Sequence, residues 1–247
     1  MVVSLGWSSI FLALGGYALL MAIVVAVGIP EPMHPENRQS LRISSLWKNY
    51  RAIASDISFL GYTLTNSLTF AGLFAFLSGS SFVLIDFLGV KPQYFGLFFA
   101  CIVTGYIGGN LTAIRLGRSL TPDQILIRGL VVAVAGGSLM AALATAHIYN
   151  VWAVILPQSL LMVGVGMILP QTMAGALANF PSMAGSASAL FGFTQMAVAA
   201  TVGALVGHFH DGTPVVMAGI IAACAIAALV SFLLLVQRHP APGFEPA

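Results

Sequence analysis

Between Arg128 and Asp211 the chain contains no Asp, Glu, Lys or Arg. A water-soluble domain cannot carry such a stretch, because it would leave long apolar surfaces with nothing to cover them. Composition extends the point to the whole molecule: 59% of the residues are hydrophobic and 6% are charged. The solvent for this chain is a lipid bilayer. A backbone in hydrocarbon must satisfy its own hydrogen bonds, which leaves helices and closed barrels. Long uncharged runs, rather than ten-residue alternations, select helices. The expected fold class is therefore all-α, a polytopic membrane protein.

Turn chemistry divides the apolar sequence into seven spans. The first, Trp7 to Ile29, is closed by Pro30 and the IPEPMHPEN segment, since proline removes a backbone donor and biases its predecessor away from helix. No Lys or Arg precedes this run, and it is too long for a signal peptide, so it reads as a retained helix. A polar connector follows from 30 to 56. Ile43, Leu46, Trp47 and Tyr50 would share one helical face there, among Arg38, Arg42, Lys48 and Arg51. Either a short helix lying on the membrane surface or a solvated basic linker fits.

The second span is the uncharged run Ile57 to Ile85, bounded by Asp56 and Asp86. The third is Tyr94 to Ile114. HIYN at 147–150 and NFPSMAGS at 179–186 carry turn signals that split the rest into Ile125 to Ala146, Val151 to Ala178 and Ala184 to Phe209. Pro214 to Val236 is the last span, followed by a proline-rich tail at 237–247. Connectors alternate sides, so eight of the nine Lys and Arg fall on one side, and only Lys91 lies opposite. The positive-inside rule then places the N-terminus outside and the C-terminus in the cytoplasm.

Polarity differs among the spans. The first, fourth and seventh are almost wholly Ala, Val, Leu, Ile and Gly and are expected to face lipid. The second carries Tyr62, Asn66 and Thr69 at helical spacing, with Phe70, Phe74 and Phe76 nearby. Gln158 and Met162 share a face of the fifth span, and Ser188, Phe191 and Gln195 a face of the sixth. Each amide alone suits a helix-to-helix hydrogen bond, but amides on three spans suit an interior surface. Gly105 with Gly109, and Gly203 with Gly207, have the spacing of close helix contacts.

Other chemistries find no residues. Cys101 and Cys224 lie in apolar runs as packing residues. His208, His210 and Asp211 read as an exposed turn rather than a metal site, and no cofactor motif or catalytic set occurs at plausible depth. A retinal protein would need a mid-span Lys, and Lys48 and Lys91 both lie in connectors. The small net charge of +2 suggests no nucleic-acid partner.

SLTFAGLFAFLSGSSFVLI, GVKPQYFGLFFA and ANFPSMAGSASALFG, in this order, resemble the signature segments of the Bcr/CflA branch of drug:proton antiporters in the major facilitator superfamily. IFLALGGYALLMAIVVAVGIPEP resembles that family's sixth helix, with Pro32 where the family usually has Thr. The resemblance implies that the chain corresponds to helices six to twelve: residues 1–29 the sixth helix, 30–56 the central cytoplasmic loop, 57–236 the six-helix C-terminal half and 237–247 a cytoplasmic tail. It implies a multi-pass protein of the inner (plasma) membrane that exports drug-like molecules in exchange for protons, needs an N-terminal six-helix half, and is not an enzyme.

In such a carrier Asn66, Phe70, Phe74, Gln158, Met162, Phe191 and Gln195 would line the half-cavity. Arg115, Gly117 and Arg118 match the Arg-x-Gly-Arg core of the family's cytoplasmic gating loop, though Ile114 stands where the fuller motif has an acid. Read from the residues alone, they are topology anchors on the positive side. No titratable group lies near the centre of a span, so the proton-coupling group is expected in the other half. The alternative is a non-transporting remnant, or a subunit that partners a separate N-terminal half. A receptor-like seven-helix protein is a weaker third.

Overall fold

The computed structural model describes residues 8–28 and 43–238. The IPEPMHPEN segment, Arg38, Arg42 and the tail from 239 onward lie outside the described residues. Seven helices are long and apolar enough to cross a membrane, and no strand occurs among the described residues.

Helix α1, Ser8–Gly28, has 21 residues. At 1.5 Å per residue it is about 30 Å long, the thickness of the hydrocarbon core. It forms one unit of the structure, and residues from Ile43 onward form the other.

The second unit begins with α2, Ile43–Ala54, which rests against the adjacent ends of two membrane helices, α3 (Ile57–Ser81) and α7 (Ala184–His208). Its Ile53 is fully buried, whereas Trp47 is 72% exposed. The anchor is thus Ile53. Trp47, expected on the apolar face, points away from the bundle, and Tyr50 is half-buried.

Four membrane helices start at a side-chain cap and a fifth at a proline. Asp56 accepts from the Phe59 N–H (2.7 Å) to open α3. Thr121 and Gln124 form a reciprocal capping box for α5, Pro122–Thr145. Asn150 caps α6, Val151–Ala178, by accepting from the Ala153 N–H (2.8 Å). Thr213 caps α8, Pro214–Ser231. Pro92 opens α4, Pro92–Leu116, as its first helical residue, where the missing N–H costs nothing. At its far end α3 widens into a π-helical segment, Phe82–Phe87, and α8 ends in another, Phe232–Val236.

Helices α3 and α6 touch at the centre, and α5 and α8 close a four-helix square behind them. Outside the square, α4 packs on α6 and α7 on α3. Polarity therefore does not simply track burial. The apolar α5 and α8 each bury one face in the square while Val131, Leu139, Ile226 and Val230 stay exposed. The amide-bearing α7 is among the least covered spans, with Phe193 71% exposed.

Glycines set the closest approaches. Gly105 and Gly109 lie against the backbone of Ser159 and Val163, so α4 meets α6 with no side chain between them. Gly203 lies against Ser78, as its spacing suggested, but nothing stands within 4 Å of the position a Cβ would take at Gly207. Only one member of that second pair is a contact.

Candidate functional site

The polar groups of three helices converge where α7 meets α3 and α6. Asn66 is 2% exposed, and its Nδ2 donates to Thr172 Oγ1 on α6 at 2.7 Å. Its Oδ1 accepts from Gln195 Nε2 on α7, also at 2.7 Å. Thr172, fully buried, donates its own proton back to the carbonyls of Ile168 and Leu169, both at 3.0 Å. The network stands roughly 10–15 Å in from the end of α3 that carries Asp56, at 1.5 Å per residue.

One turn nearer that end, the fully buried Tyr62 donates from its hydroxyl to Asp123 Oδ1 at 2.8 Å, tying α3 to the start of α5. Its ring fits because residue 175 is glycine: a Cβ there would lie 2.6 Å from the ring. Asn179 Nδ2 reaches Asp56 Oδ2 at 3.4 Å, joining the end of α6 to the cap of α3. We expect Tyr62→Phe to lower stability by about 1–2 kcal/mol, because it leaves a half-buried carboxylate short of a donor. Asp123→Asn keeps an acceptor for the phenol and should cost less. Thermal unfolding of both variants in detergent checks this, and equal losses would sink it.

The other expected cavity residues are placed unevenly. Phe70 and Phe74 pair with ring centroids 5.8 Å apart, both half-buried, on the turns of α3 beyond Asn66. Phe191 is buried one turn before Gln195. Met162 is buried. Gln158 is fully buried, and neither end of its amide has a hydrogen-bond partner among the described residues. It lies about 20 Å along α6 from Thr172 by helical rise. The structure thus brings Asn66 and Gln195 together and leaves Gln158 apart. Thr172 was not singled out in the sequence, although it continues the stripe of Gln158, Met162 and Val165 along α6.

Inside the square the space between α3, α5, α6 and α8 is small. A void of about 10 Å³, lined by Thr69, Leu130, Leu161 and Ile221 among others, has room for about one water molecule and not for a drug-sized one.

Arg115 and Arg118 are exposed at the end of α4 and form no ion pair among the described residues. Gly117 caps the helix in ordinary right-handed geometry, its N–H bonded to the carbonyls of Ala113 and Arg115. At the opposite end of the bundle, His210 stacks on Phe82 (4.9 Å). The Thr213 hydroxyl and N–H both donate to Asp211 and hold its carboxyl below the usual range. No cluster of three or more His, Cys, Asp or Glu that could hold a metal occurs among the described residues.

Known proteins are similar to this chain in sequence. The chain is 28% identical over 233 residues to a "Bicyclomycin resistance protein homolog" of Haemophilus influenzae, covering 94% of this chain and 58% of that one. It is 26% identical over 180 residues to "Multidrug resistance protein D" of Escherichia coli, covering 71% of this chain and 45% of that one. A "Chloramphenicol resistance protein" of Pseudomonas aeruginosa is 25% identical over 190 residues, covering 76% and 43%. The chain spans about half the length of these curated relatives. The description Major Facilitator Superfamily matches residues 1–204. With seven membrane-length helices and relatives of the bicyclomycin-resistance type, the chain is a multi-pass membrane protein that belongs to the major facilitator superfamily and fits its Bcr/CflA branch.

Proposed function

We propose that this chain supplies one half of a drug-efflux carrier driven by proton antiport. The observation that carries the reading is the buried Asn66–Thr172–Gln195 network, which spends directional polar groups where three helices meet. Pure packing would not need an amide left partly open on α7. In this reading Asn66, Phe70, Phe74, Phe191 and Gln195 form the substrate wall, with Gln158 and Met162 deeper along α6. Aromatic and Met side chains give an adaptable apolar surface, and amides give a few directional bonds.

Residues 1–29 act as the helix preceding this half, 30–56 as the cytoplasmic linker, 57–236 as the half itself and 237–247 as a cytoplasmic tail. The N-terminus lies outside and the C-terminus in the cytoplasm of the plasma membrane, as the eight positive charges on one side favour. Transport takes place against an N-terminal six-helix half, with Arg115, Gly117 and Arg118 in the cytoplasmic gating loop, because carriers of this type rock two halves about a shared site.

The test is to express the complete reading frame containing these residues in an efflux-deficient bacterium. Inhibitory concentrations of bicyclomycin and chloramphenicol are measured with and without a protonophore. Protection that the protonophore abolishes is expected. Membrane-inserted protein that protects against neither drug would refute the reading.

A further inference from the structure

The hydrogen bonds of the network have a direction, and the direction reaches its open end. Thr172 has one proton, and in the structure that proton goes to the Ile168 and Leu169 carbonyls. Its oxygen can then only accept, so the part of Asn66 that meets it must be the N–H₂. This turns Asn66 Oδ1 toward α7, where it needs a donor, and Gln195 Nε2 provides one. The Gln195 carboxamide is thereby fixed as well. Its nitrogen is engaged, while its Oε1 takes no hydrogen bond from any described residue.

Turning Asn66 over would require Thr172 to surrender its backbone bond. One hydroxyl therefore orients both amides. Gln195 is half-buried rather than sealed, on a helix that packs on α3 and leaves much of its surface open. Phe70 stands one turn beyond Asn66 and Phe191 one turn before Gln195, so the surroundings are aromatic. No Asp or Glu is present on α7.

We infer that Gln195 Oε1 is the acceptor that selects substrates of this half: apolar molecules that carry an N–H or O–H donor. This rests on the efflux reading above. The remaining Gln195 N–H can still meet an acceptor, but the oxygen is the group left without a partner among the described residues.

The test compares two lipophilic cations in cells expressing the complete reading frame. Ethidium carries two aromatic amines, whereas tetraphenylphosphonium has no N–H or O–H at all. The readout is the ratio of their efflux rates, each normalised to the carrier found in the membrane by immunoblot. Gln195→Met removes the acceptor at nearly constant volume and should lower the ethidium-to-tetraphenylphosphonium ratio by about tenfold, as expected for one lost hydrogen bond to a desolvated donor. Thr172→Val removes the hydroxyl that orients Asn66 and should lower it about threefold.

Thr172→Val is isosteric, so it carries the test if the Gln195 variant fails to reach the membrane. A ratio unchanged in the variants overturns the inference, including the case in which both rates fall together, because Gln195 would then serve packing. A wild-type carrier that moves neither cation, nor bicyclomycin, nor chloramphenicol overturns the efflux reading and this inference with it. Wild-type efflux with an unmoved ratio overturns the inference alone.

Discussion

An Asn66→Leu carrier is expected to reach the membrane and to lose about tenfold in efflux rate, the factor that corresponds to about 1.4 kcal/mol. Leu has nearly the shape of Asn, so the substitution opens no cavity between α3 and α6. Thr172 loses only an accepted bond and keeps its donation to the Ile168 and Leu169 carbonyls. Gln195 loses the acceptor that orients it. Interhelical hydrogen bonds in membrane proteins contribute on average about 0.6 kcal/mol each, so stability should fall by only about 1 kcal/mol for the two. The loss of transport should thus outrun the loss of folded protein. A double-mutant cycle of Asn66→Leu with Gln195→Met separates the effects, and additive losses in efflux would show that the two amides do not act together. Efflux at the wild-type rate in Asn66→Leu would remove the network from the transport site.

Gly109→Ala is expected to produce the largest loss of folded protein among single-methyl additions at the described glycines. A Cβ at Gly109 falls onto the backbone carbonyl of Val163, nearer than any real contact. Backbone cannot rotate aside as a side chain can, so α4 must move away from α6. Since α4 packs chiefly on α6, little else holds it in place. Overpacking of this kind costs about 1–3 kcal/mol, enough to outweigh the gain of about 1 kcal/mol that Ala brings over Gly in a helix. Gly207→Ala is the matched control. It adds the same methyl where nothing lies within 4 Å, and so should be neutral or stabilising. Thermal unfolding of the two variants in one detergent decides the point, and a Gly109→Ala protein as stable as wild type would contradict the described packing.

Much of the fold was legible because hydropathy and capping act locally. Seven spans could be counted from uncharged runs, and two starts from Asp56 and from the turn that ends in Asn150, each of which caps its helix in the structure; the span expected from Ile125 begins earlier, at Pro122, behind a Thr121 cap that hydropathy does not mark. Span ends were less legible where the helix changes type rather than stops. The run expected to close at Ile85 continues as a π-helical turn to Phe87, because that widening leaves no mark in composition. Spacing alone also overstated helix contacts. Gly203 and Gly207 have the same four-residue spacing as Gly105 and Gly109, yet Gly207 faces open space, because a repeat shows which residues share a face and not whether that face is covered.

The candidate site was half legible. Asn66, Gln158 and Gln195 stand out as amides in spans with no charge, and Asn66 and Gln195 do bond to each other. Their partner Thr172 did not stand out, because threonine is tolerated in any membrane helix by bonding to its own backbone. The same holds for the Tyr62–Asp123 bond. Asp123 lies before the span expected from Ile125 and carried no signal of its own, and only packing brings it to a buried phenol 61 residues away.

By itself the sequence determined that this chain lives in a bilayer and how many of its helices are long enough to cross it, because these follow from hydrophobicity summed along a local stretch. Tertiary structure alone decided which helices sit at the centre, that Gln158 stands apart from Asn66, and which way the amides point. Those facts depend on contacts between residues far apart in the chain, where one threonine proton directed to its own backbone settles the orientation of two side chains on other helices.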